Sequence, residues 1–425
     1  MELRFVFFIA VMSALVVSAH VYLYRRLIRD TATSRYLRTA GKVVVAVLAV
    51  LLVGGRFLHR LWPNPVTQAV GDFAYVWMGM ALFLLLAVAT LGAARWTVRR
   101  ARRTSAKMAL VPAAGPSSQS QSQPQSQQPP PPMSSDQLDG ASAPPVDESR
   151  RLFLSRAVAG GAVTVAGATS GYGIWRAYHE PVVTELAVRL PGLPKALDGM
   201  SIVHLTDIHV GNLIERRFMD ELVRRANALK PDLVAVTGDL VDGDVEQLGP
   251  AVAALSNLRT RYGTFFCCGN HEYYSGDLAW AGFLESIGVQ VLRNRHVRVG
   301  DAAPGGASFD LAGVDDWSFR GRARGYDLDR ALAGRDADRG LVLLAHQPAN
   351  FEGAVEKGVG LQLSGHTHGG QLFPMTLLVG LQWEHVAGHY THKDGHIYVG
   401  RGCGFWGPPM RVGSPPEIVK VVLTA

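Results

Sequence analysis

In the second half of this 425-residue chain, apolar runs repeatedly end in a carboxylate, an amide or an imidazole. IVHLTDIH supplies Asp207 and His209, LVAVTGDLVD supplies Asp239 and then Asp242, and FFCCGNHE supplies Asn270 and His271. LVLLAHQP supplies His346, and LQLSGHTHGG supplies His366 and His368. Asp207, His209, Asp239, Asn270, His346, His366 and His368 form a set of oxygen and imidazole donors without thiolate, which suits Mn, Fe, Zn or Co. Seven donors exceed what one ion with an open position needs. With one bridging carboxylate they divide between two ions about 3.5–4 Å apart. A carboxylate has two oxygens with which to bridge, whereas an imidazole nitrogen ordinarily serves one ion. Two such cations would lower the pKa of a shared water, making hydroxide available near neutral pH. His271 is next to the donor Asn270.

The elements that must position these residues are short β-rich runs: Ser201–Leu205, Leu233–Val236, Gly263–Cys267, Leu311–Val314, Leu341–Ala345, Gly360–Leu363, His396–Val399 and Glu417–Leu423. Helical patterns such as Arg216–Leu229 and Leu278–Ile287 lie between them. Buried strands alternating with helices predict an α/β domain over residues 180–425. Loops after strands at one sheet edge converge, so donors far apart in sequence can share a site.

Residues 1–107 read differently. Phe5–Tyr24, Val43–Leu58 and Phe73–Ala94 are apolar stretches that predict three transmembrane helices, the second near the lower length limit. Arg25, Arg26, Arg29, Arg35, Arg38 and Lys42 follow the first, and Arg95, Arg99, Arg100, Arg102, Arg103 and Lys107 follow the third. Basic connections stay cytoplasmic. The chain is therefore expected to be a multi-pass protein of the cell inner membrane, with its catalytic domain on the extracytoplasmic side. Residues 108–148 hold a Ser/Gln/Pro tract that cannot bury enough apolar surface to order itself, so a disordered linker is expected. In 149–178, SRRLFL precedes a Gly/Ala-rich apolar run, similar to a twin-arginine export signal and equally a fourth membrane helix.

Charge divides the chain in the same place. The first 179 residues carry 19 Lys and Arg against 7 Asp and Glu, and the rest carry 23 against 28. The basic pI belongs to the membrane part, so a nucleic-acid partner is not expected. Three cysteines, two of them adjacent, predict buried core thiols and no disulfide framework.

The ordered set D-x-H, GD, GNHE, H, GHxH resembles the calcineurin-like metallophosphoesterase superfamily over about Leu186–Leu423. That resemblance implies a four-layer αββα sandwich with a dimetal site where strands end. It implies that Asp207, His209 and His368 bind one metal, that Asn270, His346 and His366 bind the other, that Asp239 bridges, and that His271 is catalytic. Within the superfamily, SRRLFL, DIHVG, GVDDW, HQP and GPPMRVGSPPEIV look most like bacterial membrane-associated phosphoesterases with an arginine-pair leader. This implies a phosphodiester or pyrophosphate substrate, lipid-linked in some relatives, including phospholipids and UDP-diacylglucosamine. Two other classes compete: a non-catalytic membrane protein with a structural metal site, and a nuclease or nucleotide phosphodiesterase on the same fold. A complete ligand set argues against the first, and the acidic catalytic half against the second.

Other residues read more plainly. Asp242 is expected to cap a turn, with a hydrogen bond to a metal-bound histidine as the alternative. Glu272 either orients His271 or is a solvated loop acid. Asp315, Asp316 and Trp317 read as a turn or a substrate loop, and Arg411 as a surface arginine or a phosphate ligand. His385, His389, His392 and His396 match no ligand spacing. His204 reads as a core histidine, and Arg216–Asn227 as a helix with a solvated basic face.

Overall fold

The computed structural model describes residues 3–109 and 148–425, apart from 302 and 304; the low-complexity tract 113–147 lies outside the described residues. The chain divides into two compact units, Met1–Val53 with Met80–Gly167, and Gly54–Gly79 with Ala168–Ala425.

Four long helices open the chain: α1 (Leu3–Leu23), continued by a π-helical turn Tyr24–Arg29, α2 (Arg35–Leu61), α3 (Pro65–Ala109) and α4 (Glu148–Tyr178). Each is long and apolar enough to cross a membrane. The second outruns its apolar stretch because the helix already starts at Arg35. Segment 149–178 forms one helix with Arg150 and Arg151 in its first turn. Three residues later the globular part begins.

That part holds two six-stranded sheets. The first comprises β1 (Val182–Arg189), β2 (Ser201–Leu205), β3 (Leu233–Thr237), β4 (Thr264–Cys267), β5 (Val289–Val291) and β12 (Glu417–Thr424), in the order β1-β12-β2-β3-β4-β5. The second comprises β6 (Arg295–Gly300), β7 (Ser308–Gly313), β8 (Leu341–Leu344), β9 (Leu361–Ser364), β10 (Gly388–His392) and β11 (Gly395–Val399), in the order β10-β11-β9-β8-β7-β6. Pairs β2–β3, β3–β4, β7–β8 and β8–β9 are parallel, so their following loops leave one edge together.

Helices α5 (Arg216–Ala228), α6 (Val245–Val252), α7 (Asn270–Ser275), α8 (Asp277–Ser286), α9 (Leu328–Leu332), α10 (Phe351–Glu356) and α11 (Met375–Gln382) complete the chain. The two sheets pack face to face through Ile202, Leu233, Ala235 and Phe265 against Phe309, Leu311, Val342, Leu344 and Leu361. The outer face of the first sheet is covered by α5, α6 and α8 through Met219, Leu222, Val252, Trp280 and Leu284. Leu328, Ala331 and Ala354 of α9 and α10 cover the other. These are the four expected layers.

Local patterning explains the fit. In α5, Met219, Leu222, Val223 and Ala226 recur at helical spacing and are buried. Full burial of each of the three larger side chains contributes about 1.5–3 kcal/mol. The opposite face is solvated, with Arg216 paired to Asp220 and Arg224 to Glu221, as expected. All three cysteines are free and buried.

Candidate metal centre

The backbone ties the strand-end loops together before any side chain is considered. Asp207 N–H donates to Gly238 O (3.1 Å), His209 N–H to Asp239 O (3.0 Å) and Gly365 N–H to His346 O (2.7 Å). The Asp207 carboxylate then joins the two sheets by accepting His366 N–H at 2.9 and 3.0 Å. Two glycines make the approach feasible. A Cβ on Gly269 would strike the Asp239 carboxylate, and one on Gly365 would strike that of Asp207. Asp207, His209, Asp239, His366 and His368 all adopt positive φ, between 49° and 71°. Such conformations cost about 1–3 kcal/mol each in non-glycine residues and cluster at functional sites.

Six of the seven expected donors fall into two groups. Asp207, His209 and His368 offer ligand atoms within 4.8 Å of one another, and so do Asp239, His346 and His366. His209 Nε2 lies 3.1 Å from His368 Nε2, and His346 Nε2 lies 3.2 Å from His366 Nδ1. Asp239 Oδ2 reaches both groups, 3.1 Å from His346 Nε2 and 3.9 Å from His209 Nε2. The seventh donor, Asn270, opens α7, where the adjacent His271 N–H donates to Asp239 Oδ1 (2.9 Å).

The donor set fits divalent cations. Asn270 Oδ1 is buried with no hydrogen-bond partner. His346 Nδ1–H donates to Thr237 O (2.8 Å), which turns Nε2 toward the site. Burial opposes charge on His346, yet Asp239 raises its pKa well above the usual value, so the carboxylates call for positive charge. Burial and then the Arg411 charge hold His368 well below its usual pKa, leaving its imidazole neutral for ligation.

His271 borders both groups: it offers a ligand atom within 4.8 Å of His209 and Asp242, and its Nε2 lies 3.9 Å from Asp239 Oδ2. Burial opposes its protonation, but a hydrogen bond to Asp242 and the charge of Asp239 raise its pKa to about 9. Its Nδ1 is 2.6 Å from Asp242 Oδ1, which also lies 3.0 Å from His209 Nδ1. The expected cap role for Asp242 is therefore corrected: one carboxylate orients both imidazoles. Its clue was its place three residues after Asp239 on the same strand-end loop. A cavity of about 620 Å³ opens beside His271 and His209, walled by Tyr274, Trp406 and, from the α2–α3 region, Asp72 and Tyr75. Nothing in the sequence connected those last two residues to the site.

Arg411 is also corrected. It is fully buried (0% exposed) because its guanidinium donates to the carbonyls of His368, Arg401 and Gly404, with Nη2 3.0 Å from His368 Nδ1. Glu272 neither orients His271 nor meets solvent. It accepts the N–H groups of Asp239, Leu240 and Gly269 at 3.0, 2.7 and 2.7 Å, clamping two strand-end loops together. Burial and the nearby Asp239 push its pKa up to about 7.

Asp315 and Asp316 are buried loop residues after β7, accepting from Arg293 (2.8 Å) and Gln347 (2.9 Å). His204 is a core residue, bonded to Thr237. His389 and His396 stack across β10 and β11, and His385 groups with Glu352 and Glu384, apart from the seven donors.

A family model described as calcineurin-like phosphoesterase matches residues 200–370. An uncharacterized metallophosphoesterase of Helicobacter pylori is 39% identical over 260 residues, 60% of this chain and 67% of that one. One of Bacillus subtilis is 32% identical over 289 residues, 65% of this chain and 97% of that one. The chain belongs to the metallophosphoesterase family. The chain is also 39% identical over 298 residues to a bovine (Bos taurus) "transmembrane protein with metallophosphoesterase domain", covering 67% of this chain and 66% of that one. It spans slightly under two thirds of the length of the bovine and Danio rerio relatives, 66% of each.

Proposed function

We propose that this phosphoesterase is a membrane-anchored dimetal hydrolase of phosphodiester or pyrophosphate bonds, acting on a lipid-linked substrate. The observation that carries the reading is the pair of buried donor groups meeting at Asp239, with His271 at the wall of an adjoining cavity. Asp207, His209 and His368 would hold one divalent cation, Asn270, His346 and His366 the other, and Asp239 both. Bound there, the cations supply Lewis acidity that makes water a competent nucleophile and neutralises phosphoryl oxygens.

The chain's own residues do the rest. Asp242 holds the His271 ring from its Nδ1 side. The hydrogen bond to Asp242 and the Asp239 charge favour the protonated His271 ring, which can deliver its proton to the departing oxygen. Tyr274 and Trp406 pack edge-on to that ring, with centroids 5.6 and 5.8 Å away.

Membrane placement follows the basic residues. Arg26, Arg29, Arg38, Arg95 and Arg151 surround one cavity of about 920 Å³ in the first unit, which supports a common cytoplasmic end for α1, α2, α3 and α4. On this reading α4 is a fourth span in the inner membrane, its arginine pair is cytoplasmic, and the catalytic domain is extracytoplasmic. The arginine pair also supports the bacterial arginine-leader branch.

The test is turnover of bis-p-nitrophenyl phosphate by the full-length protein in detergent with Mn²⁺. Wild type is expected to turn over. His271→Ala is expected to keep its metal and slow by roughly 10²–10⁴-fold, the scale of a lost general acid. No turnover with Mn, Zn, Fe or Ni would overturn the hydrolase reading, and unchanged turnover in His271→Ala would remove the role given to that residue.

A further inference from the structure

Helix α11 buries none of its residues, although its sequence is MTLLVGLQ. Leu377, Leu378 and Leu381 are 65%, 53% and 84% exposed, and Phe373 just before it is 52% exposed. A contiguous apolar surface of this kind marks a site of association.

Its neighbours indicate what covers it. The residues just before α11 are bonded to segment 408–412: Phe373 N–H donates to Val412 O (2.8 Å) and Val412 N–H to Gln371 O (2.9 Å). That segment is in turn the seat of two candidate membrane helices. A Cβ on Gly79 of α3 would meet Met410 and Pro408, and one on Gly173 of α4 would meet Val412 and Met410. Arg411 N–H donates to Gly173 O at 2.9 Å, and the Tyr178 ring at the end of α4 meets Phe405 edge-on at 5.3 Å. Gly79 of the candidate span Pro65–Val98 and Gly173–Tyr178 of the candidate span Glu148–Tyr178 therefore meet residues one bonded segment away from α11. Trp62, Trp175 and Trp406, 63%, 53% and 54% exposed, are the residue type that gathers at a bilayer boundary.

The same boundary reaches the site. Helix α11 follows the loop carrying His366 and His368, and Trp383 just beyond it packs edge-on to His366 at 5.1 Å. The cavity beside His271 takes Pro63, Asp72 and Tyr75 from the α2–α3 region into its wall.

We propose that α11 lies in the bilayer interface and that, together with the α2–α3 connection, it frames an opening through which the site takes the phosphodiester head of an amphiphile whose chains remain in the membrane. The apolar helix holds the domain down on the hydrocarbon boundary, as an interfacial helix does. The metal-site loops immediately before it then face the headgroup layer. This rests on the dimetal hydrolase reading and specifies how its substrate arrives.

The experiment uses the full chain in vesicles of phosphatidylethanolamine and phosphatidylglycerol. Two chromogenic diesters share one leaving group: soluble bis-p-nitrophenyl phosphate and membrane-partitioned p-nitrophenyl hexadecyl phosphate. In wild type the hexadecyl ester is expected to be the better substrate by about tenfold or more in kcat/KM. Leu377→Glu with Leu381→Glu is expected to remove that preference, since a charged face no longer favours the interface. Turnover of the soluble ester should be unchanged, as neither side chain reaches the site. A fluorophore on Leu381→Cys, added to a chain whose own thiols are buried, should be quenched by doxyl-labelled lipid.

A preference that survives the double substitution, or a probe that doxyl lipid does not quench, would overturn the proposal. In the second case either water or a protein surface meets the helix. Equal turnover of the two esters by wild type would also overturn it while leaving the hydrolase reading intact. Absence of turnover on both esters would sink the hydrolase reading itself, with the quenching arm still reporting on α11.

Discussion

Asp207, His209, Asp239, His366 and His368 adopt a backbone conformation that side-chain-bearing residues avoid, at about 1–3 kcal/mol each. The strain persists because neighbouring groups hold it: Glu272 receives three backbone N–H groups, and Asp207 receives His366 N–H. The six expected donors that the fold groups together stood out in the sequence because each follows an apolar run, a purely local signal. The residues that hold them did not. Arg411 looks like a surface arginine until its guanidinium is seen against three carbonyls, and those carbonyls belong to other loops. Asp242 resembled a cap because its two imidazole partners come from separate strand ends. Arg411 carries the residue-scale prediction. Arg411→Lys keeps the charge but cannot span His368 O, Arg401 O and Gly404 O together. Metal affinity should fall about 10–100-fold, and stability by about 1–3 kcal/mol, as read by metal titration and denaturant unfolding. A stability loss with unchanged metal affinity would make Arg411 a support of the fold alone.

Legibility at the scale of elements followed position in the sheet. The eight anticipated strands are the interior ones, β12, β2, β3 and β4 in the first sheet and β11, β9, β8 and β7 in the second. The four not anticipated, β1, β5, β6 and β10, are the edges. An interior strand is covered on both faces and reads as an unbroken apolar run. An edge strand admits charge that blunts pairing with another chain. Thus β6 reads RHVRVG, β10 reads GHYTH and β1 carries Glu185. The candidate membrane helices were legible by length and apolarity, and segment 149–178 forms one helix, which both readings of it allow. The orientation proposed for them has its own test. An alkaline phosphatase reporter fused after residue 180 and expressed in a bacterial host should be active, and a β-galactosidase reporter at the same point inactive. The reverse pattern would put the catalytic domain in the cytoplasm.

The whole molecule joins a basic, apolar N-terminal part to an acidic α/β domain, and its compact units do not divide at that junction. Gly54–Gly79 and Ala168–Tyr178, ends of candidate membrane spans, belong to the unit that holds the donors. Residues far apart in sequence, Tyr75 and Trp406, thereby wall one cavity with His271. A linear reading has no means of seeing that pairing, since only the folded chain brings the two together. At this scale everything depends on two donor groups meeting at one carboxylate. The most direct test is metal content per chain after reconstitution of the purified full-length protein and removal of loose ions, by elemental analysis. Wild type should retain about two divalent ions per chain, and Asp239→Ala about one or fewer together with loss of turnover. Less than one ion bound to the folded wild-type chain would contradict the account.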